Sequence, residues 1–167
     1  MTNENDNTGS NSFPVNTRIE LSEASVHLLG EASRSINILV YDYDDILLPS
    51  KNMDELVSSF VGLHERNRFH YLCSESDLLR NRGSKLIKLA RRFSTFIKLR
   101  QLPDGLKSRH EQFIVADENS SIQTQDRKSH NYYAHLNDRS RARKLNNHFE
   151  ELWQRSSAIP GVHVTGL

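Results

Sequence analysis

Cysteine is almost absent from this chain: Cys73 stands alone among 167 residues. That excludes an internal disulfide and any cysteine-rich zinc site. Cys73 falls in a short apolar run, where a thiol reads as a small buried side chain. A nucleophilic role needs an exposed, electropositive setting instead. Long apolar runs are also lacking. The longest, such as 36–41, have strand length, far short of the roughly 18–20 residues a membrane span needs. With a hydrophobic fraction of 36% and a mean hydropathy of −0.65, a soluble domain is expected. The first residues have no basic region followed by an apolar one, so a cytoplasmic protein without a secretory signal is expected. Residues 1–18 read as a disordered or irregular tail, because nothing there buries enough surface to offset ordering entropy. No repeat or linker is visible, so 19–167 is expected to be one domain. The eight histidines are scattered, and no His-x-x-x-His pair suggests zinc. His130 and His135 lie in a polar stretch with nothing to pair them. Neither metal nor cofactor is expected.

What is present is charge, unevenly placed. The net charge is +1, yet residues 1–79 carry 5 Lys and Arg against 13 Asp and Glu, a net of −8. Residues 80–109 carry 10 basic side chains against Asp104 alone, a net of +9. A block of that density points to an anionic partner, nucleic acid among them. The candidate anion-binding residues are Arg80, Lys85, Lys88, Arg91, Arg92, Lys98 and Arg100. On a helix, Lys85, Lys88 and Arg92 share one stripe with Arg91 beside it, while Lys98 and Arg100 share a strand face. The plain alternative is a solvated surface, and no known nucleic-acid motif accompanies the block.

Periodicity and caps outline the elements. An extended lead-in is expected over 13–19, with Pro14 discouraging helix. Ser22 can cap a helix from 23. A mostly apolar strand follows at 36–41, then a helix at 51–64 and a strand at 69–73. Ser76 or Asp77 can cap a helix reaching 93. Strands are expected at 95–101, 111–117 and 121–125, a polar loop at 126–137, and a helix capped by Asp138 that runs to 155. A short strand is expected at 162–165. The order α-β-α-β-α-β-β-β-α implies an α/β fold, with a mixed, largely parallel sheet and helices on both faces. Tyr41-Asp42-Tyr43-Asp44-Asp45 follows the first expected strand, where ligands of α/β sheets dock. Such carboxylates can bind magnesium or calcium. Their plain reading is a solvated loop and a helix cap.

The most informative segment is His110-Glu111-Gln112-Phe113-Ile114-Val115-Ala116-Asp117. It resembles the His-x-Lys-x-x-x-x-Asp strand of phospholipase D-like enzymes, with Gln112 where the lysine belongs. Phe149-Glu150-Glu151-Leu152-Trp153 resembles the Phe-x-x-Leu-Trp helix ending of the same family. The likeness covers roughly residues 22–157 and is nearest to small bacterial half-domains with altered motifs. It implies a phospholipase D-like half-fold in which His110 is the nucleophile on phosphorus or its relic, and Gln112 stands where the lysine that holds the phosphate's charge belongs. Two such motifs meet across two halves of a chain or a homodimer, one histidine attacking and the other protonating the leaving group. Strand alternation predicts that His110 and Gln112 share a face.

Gln112 carries no charge, and losing one such stabilising donor typically costs about 100–1000-fold in rate. The family's Gly-Ser-x-Asn phosphate loop is absent too; the chain reads Gln123-Thr124-Gln125-Asp126. Lys107 and Arg109 fall off the expected face. Asp117 reads as a turn residue or hydrogen-bond anchor. Three readings follow: a non-catalytic binding or regulatory module for an anionic ligand, a weak homodimeric phosphodiesterase using His110, and an accessory protein to another enzyme such as an acetyltransferase.

Overall fold

In the computed structural model, which describes residues 11–108 and 110–162, the first helix begins earlier than a Ser22 cap would place it. Thr17 Oγ1 accepts from the Glu20 N–H at 3.1 Å. Glu20 Oε1 accepts in return from the N–H groups of Asn16 and Thr17, each at 3.1 Å. This reciprocal box satisfies amides that a helix start otherwise leaves unpaired, and it fixes α1 at Arg18–Glu31. Ahead of it the lead-in forms a strand, β1 (Asn11–Val15). Pro14 is tolerated there because β1 is an edge strand.

Strand β2 (Ser35–Val40), helix α2 (Ser50–Leu63) and strand β3 (Arg68–Cys73) follow. The helix expected up to residue 93 is two, α3 (Asp77–Arg82) and α4 (Ser84–Arg92). They part at Gly83, where a Cβ would lie 2.7 Å from Leu79 Cδ1 and 2.8 Å from the Leu79 carbonyl oxygen. The close approach requires a residue without that atom. Strand β4 (Ile97–Gln101), a single 3-10 turn (Asp104–Leu106), β5 (Gln112–Ala116) and β6 (Ser120–Thr124) come next. The expected loop at 126–137 contains a further strand, β7 (Tyr132–Leu136), anchored by buried Tyr132 and Ala134. Asp138 caps α5 (Arg139–Trp153), its Oδ1 accepting from the Arg141 N–H at 3.1 Å. A two-residue strand, β8 (Ser157–Ala158), closes the sheet. The strand expected at 162–165 lies outside the described residues from 163 onward.

The eight strands form one sheet in the order β1-β7-β6-β5-β2-β3-β4-β8. It is mixed and carries helices on both faces, as the order of elements implies. Parallel pairing is narrower than expected, though, joining only β2 to β3 and β3 to β4 among the described residues. The connections from β5 to β6 and from β6 to β7 are too short for a crossover, so those pairs are antiparallel. Helices α1 to α4 pack on one face, over Ile36, Ile38, Val40, Tyr71, Ile114 and Ile122. On the other face α5 alone buries Ala142, Leu145 and Phe149 against Leu39, Leu72, Phe113 and Val115. Each large apolar side chain so buried contributes roughly 1.5–3 kcal/mol. Cys73 is buried, and burial pushes its thiol pKa up, away from the reactive thiolate. Among the described residues no helix is long and apolar enough to cross a membrane.

Candidate functional site

Strand β5 begins at Gln112, so the alternation that should align His110 with it does not extend back to His110. The two side chains differ in exposure. Gln112 is 3% exposed. The His110 side chain is 66% exposed in the bend before the strand, its Nδ1 3.7 Å from Asp126 Oδ1. Gln112 Oε1 accepts from the Tyr41 N–H at 3.0 Å, which ties β5 to the end of β2. With the oxygen fixed by that donor, the amide nitrogen must face the other way, and it donates to the Tyr132 hydroxyl at 2.8 Å. Burial, then the charge of Asp44, pushes the Tyr132 hydroxyl up to about 12.

Asp117 sits in the left-handed region at φ 58°, which Asp tolerates better than most residues. Its carboxylate accepts from the N–H groups of Ser33, Arg34 and Ser35, the shortest at 2.7 Å. It therefore fastens the β5–β6 turn to the start of β2. Lys107 pairs with Glu75 and with Asp104, the latter at 3.0 Å. Arg109 lies outside the described residues.

Gln112 and Tyr132 line a cleft of about 490 Å³ at the C-terminal end of β2. Its walls come from the N-terminus of α1, the segment after β2, α3 and the β6–β7 connection. The carboxylates after β2 line it as well, but two of them are turned to the backbone. Asp42 accepts from the N–H groups of Tyr43 at 2.7 Å, Leu78 at 2.9 Å and Leu79 at 3.2 Å, and so caps α3 from outside it. Asp44 Oδ1 accepts from the Ile46 N–H at 2.9 Å and from that of Leu47. The hydroxyl of Tyr43 donates to the Leu48 carbonyl, and burial followed by Asp45 and Asp44 raises it to about 12. Arg127 lies over the Tyr41 ring at 4.1 Å, a cation–π contact. His130 lines the cleft, whereas His135, on the α5 face of β7, bonds Ser12 Oγ at 2.9 Å. Among the described residues no three His, Cys, Asp or Glu side chains are grouped to hold a metal ion.

The basic block is divided rather than gathered. Arg80 and Arg91 reach the C-terminal segment, where they donate to the carbonyls of Pro160 at 3.0 Å, Gly161 at 3.1 Å and Val162 at 2.8 Å. Arg100 donates to Ser156 Oγ at 2.7 Å and to the Ser156 carbonyl, and lies 5.3 Å from the Trp153 ring. Strand alternation places Lys98 and Arg100 on the α5 face, opposite α4. Lys85, Lys88 and Arg92 remain exposed on α4, with Lys85 4.0 Å from Asp54 and Arg92 over the Phe93 ring at 4.8 Å. Tyr132, Arg127, Arg18 and Arg82 were not among the sequence candidates. The acidic stretch after β2 and the two tyrosines at 132–133 were the available signals for this end of the sheet.

The chain matches a domain-of-unknown-function family, DUF7931, over residues 17–163. It belongs to that family. No curated protein matches it. Among solved structures it is similar to TrmBL2, an archaeal chromatin protein described for its mode of DNA binding. Identity is 14% and the TM-score 0.63, covering 89% of this chain and 54% of that one. The chain therefore spans about half of that relative. It is also similar to NucT from Helicobacter pylori, at 9% identity and a TM-score of 0.61, covering 90% of this chain and 98% of that one. Nuc from Salmonella typhimurium, a phospholipase D family member, is 13% identical with a TM-score of 0.57 and the same coverages. The DUF7931 chain thus has a phospholipase D-like fold.

Proposed function

We propose that this chain is a non-catalytic binding module for an anionic ligand, built on the phospholipase D-like fold around an altered motif. The observation that carries it is the pair of hydrogen bonds made by Gln112. Where the family places an ammonium to meet phosphate, the amide is buried and spent on the Tyr41 backbone and the Tyr132 hydroxyl. A neutral group so held supplies no charge to a pentacovalent phosphorus. The exposed stripe of Lys85, Lys88 and Arg92 supports an anionic partner, nucleic acid by preference, and the DNA-binding archaeal neighbour supports the same reading by analogy of fold alone. The test is binding of a labelled oligonucleotide and retention on heparin across a salt series. Wild type should bind with an affinity that falls steeply with salt. A Lys85→Glu, Lys88→Glu, Arg92→Glu variant should lose it. Equal binding by both proteins would remove the stripe from the account.

One observation favours a second reading, a weak homodimeric phosphodiesterase: the exposed imidazole of His110 lies beside Asp126. It requires turnover that depends on His110 and a dimer that pairs two copies of it.

A further inference from the structure

The cleft beside Gln112 has two unlike halves. Its floor is apolar and aromatic, with Val15, Leu21, Tyr43 and Tyr132 all buried. Three arginines, Arg18, Arg82 and Arg127, line the same cleft from three separate elements, the Arg127 guanidinium lying over the Tyr41 ring. None of them belongs to the His110–Asp117 segment or to the α4 stripe. Asp42, Asp44 and Asp45 line the cleft as well, Asp42 and Asp44 facing backbone amides that cap α3 and the turn after β2. Helix α1 opens at the cleft through Asn16 and Thr17, whose amides are taken by the Glu20 carboxylate. At the floor, the Tyr132 hydroxyl accepts from Gln112 Nε2 at 2.8 Å. A volume of about 490 Å³ lies within the roughly 300–1,000 Å³ common for small-ligand sites.

We propose that this cleft binds a small ring-bearing organic phosphate of nucleoside monophosphate size, with the phosphate at Arg18, Arg82 and Arg127 and the ring over Tyr43 and Tyr132. Three forked cations suit a doubly charged phosphate better than a single carboxylate. The ring, not the phosphate, meets the floor, because the floor is apolar and aromatic while the arginines stand at the walls. The ligand is held without hydrolysis, and the site is separate from the polymer-binding stripe on α4.

The experiment is calorimetric titration of the whole chain with AMP, adenosine and inorganic phosphate, each alone. AMP should bind at least tenfold more tightly than either half. Arg82→Ala should weaken it about tenfold, and Arg82→Ala with Arg127→Ala about 100-fold. Arg143→Ala, an exposed cation on α5, should change nothing. Arg82 is exposed at the end of α3, so its single variant decides the matter even if the double variant does not fold. No AMP binding, binding of inorganic phosphate or adenosine as tight as that of AMP, or equal losses in Arg82→Ala and Arg143→Ala would each overturn the proposal. If an oligonucleotide binds and AMP does not, the cleft proposal falls and the polyanion reading stands. If neither binds, both fall.

Discussion

The amide nitrogen of Gln112 donates to the Tyr132 hydroxyl at 2.8 Å, across two strands that are not neighbours in the sheet. Together with the Tyr41 N–H on its other side, this bond makes Gln112 a structural joint between β5, β7 and the end of β2. Gln112→Lys should therefore destabilise the fold rather than simply restore a motif. It deprives the Tyr41 N–H of its acceptor and buries an ammonium, at a cost of about 2–4 kcal/mol. Urea unfolding measures this directly. A loss below about 0.5 kcal/mol, within the range of ordinary surface substitutions, would mean that the joint is not formed.

Asp117 makes a second joint. Its carboxylate collects three consecutive amides, from Ser33 to Ser35. Asp117→Ala should cost about 2–4 kcal/mol, from the lost charge-assisted bonds and from placing alanine at positive φ. Asp117→Asn keeps an acceptor and tolerates the backbone, so it should lose less than half as much. Equal losses in the two variants would place the effect elsewhere.

The C-terminal segment depends on arginines. Arg91→Met and Arg100→Met should each raise amide hydrogen exchange over 156–162 while leaving that of β2 and β5 unchanged. Ile159 and Val162 are buried, so stability should fall by about 1–3 kcal/mol in each variant. Unchanged exchange would show that the segment is held by its apolar contacts alone.

His70 supplies a pH dependence. It stacks on Trp153 at 4.3 Å. Burial first, then the charges of Arg68, Lys98 and Arg100, lower its pKa from 6.5 to about 4. Between those values only the unfolded chain takes up the proton. Its contribution is thus complete above pH 6.5 and is lost as the pH falls toward 4, by roughly 1–3 kcal/mol. His70→Phe keeps the stack without titrating. The difference in stability between wild type and this variant should follow that window, and a difference independent of pH would contradict the assignment.

Much of the fold was legible because its signals are local. The apolar runs of β2, β3 and β5 and the Asp138 cap lie within a few residues of where they act. The early start of α1 was not read, because Ser22 offered a cap that competes with Thr17 and Glu20. Strand β7 escaped notice because Tyr132 and Ala134 are its only strongly buried apolar residues, in a stretch rich in polar side chains. The site was harder to read. Spacing placed His110 and Gln112 on one face, yet the strand begins between them. The basic block looked continuous along the chain, while Gly83 and the alternation of β4 divide it among surfaces. Arg18, Arg82 and Arg127 are far apart in sequence, and only the packing of three elements around the end of β2 brings them to one cleft.

The central claim is that the position of Gln112 no longer serves phosphoryl transfer, and hydrolysis of bis-p-nitrophenyl phosphate by wild type and His110→Ala tests it most directly. The account predicts that wild type gives no turnover above that of His110→Ala. Turnover in wild type that disappears in His110→Ala would contradict it and make this chain an enzyme with an altered site.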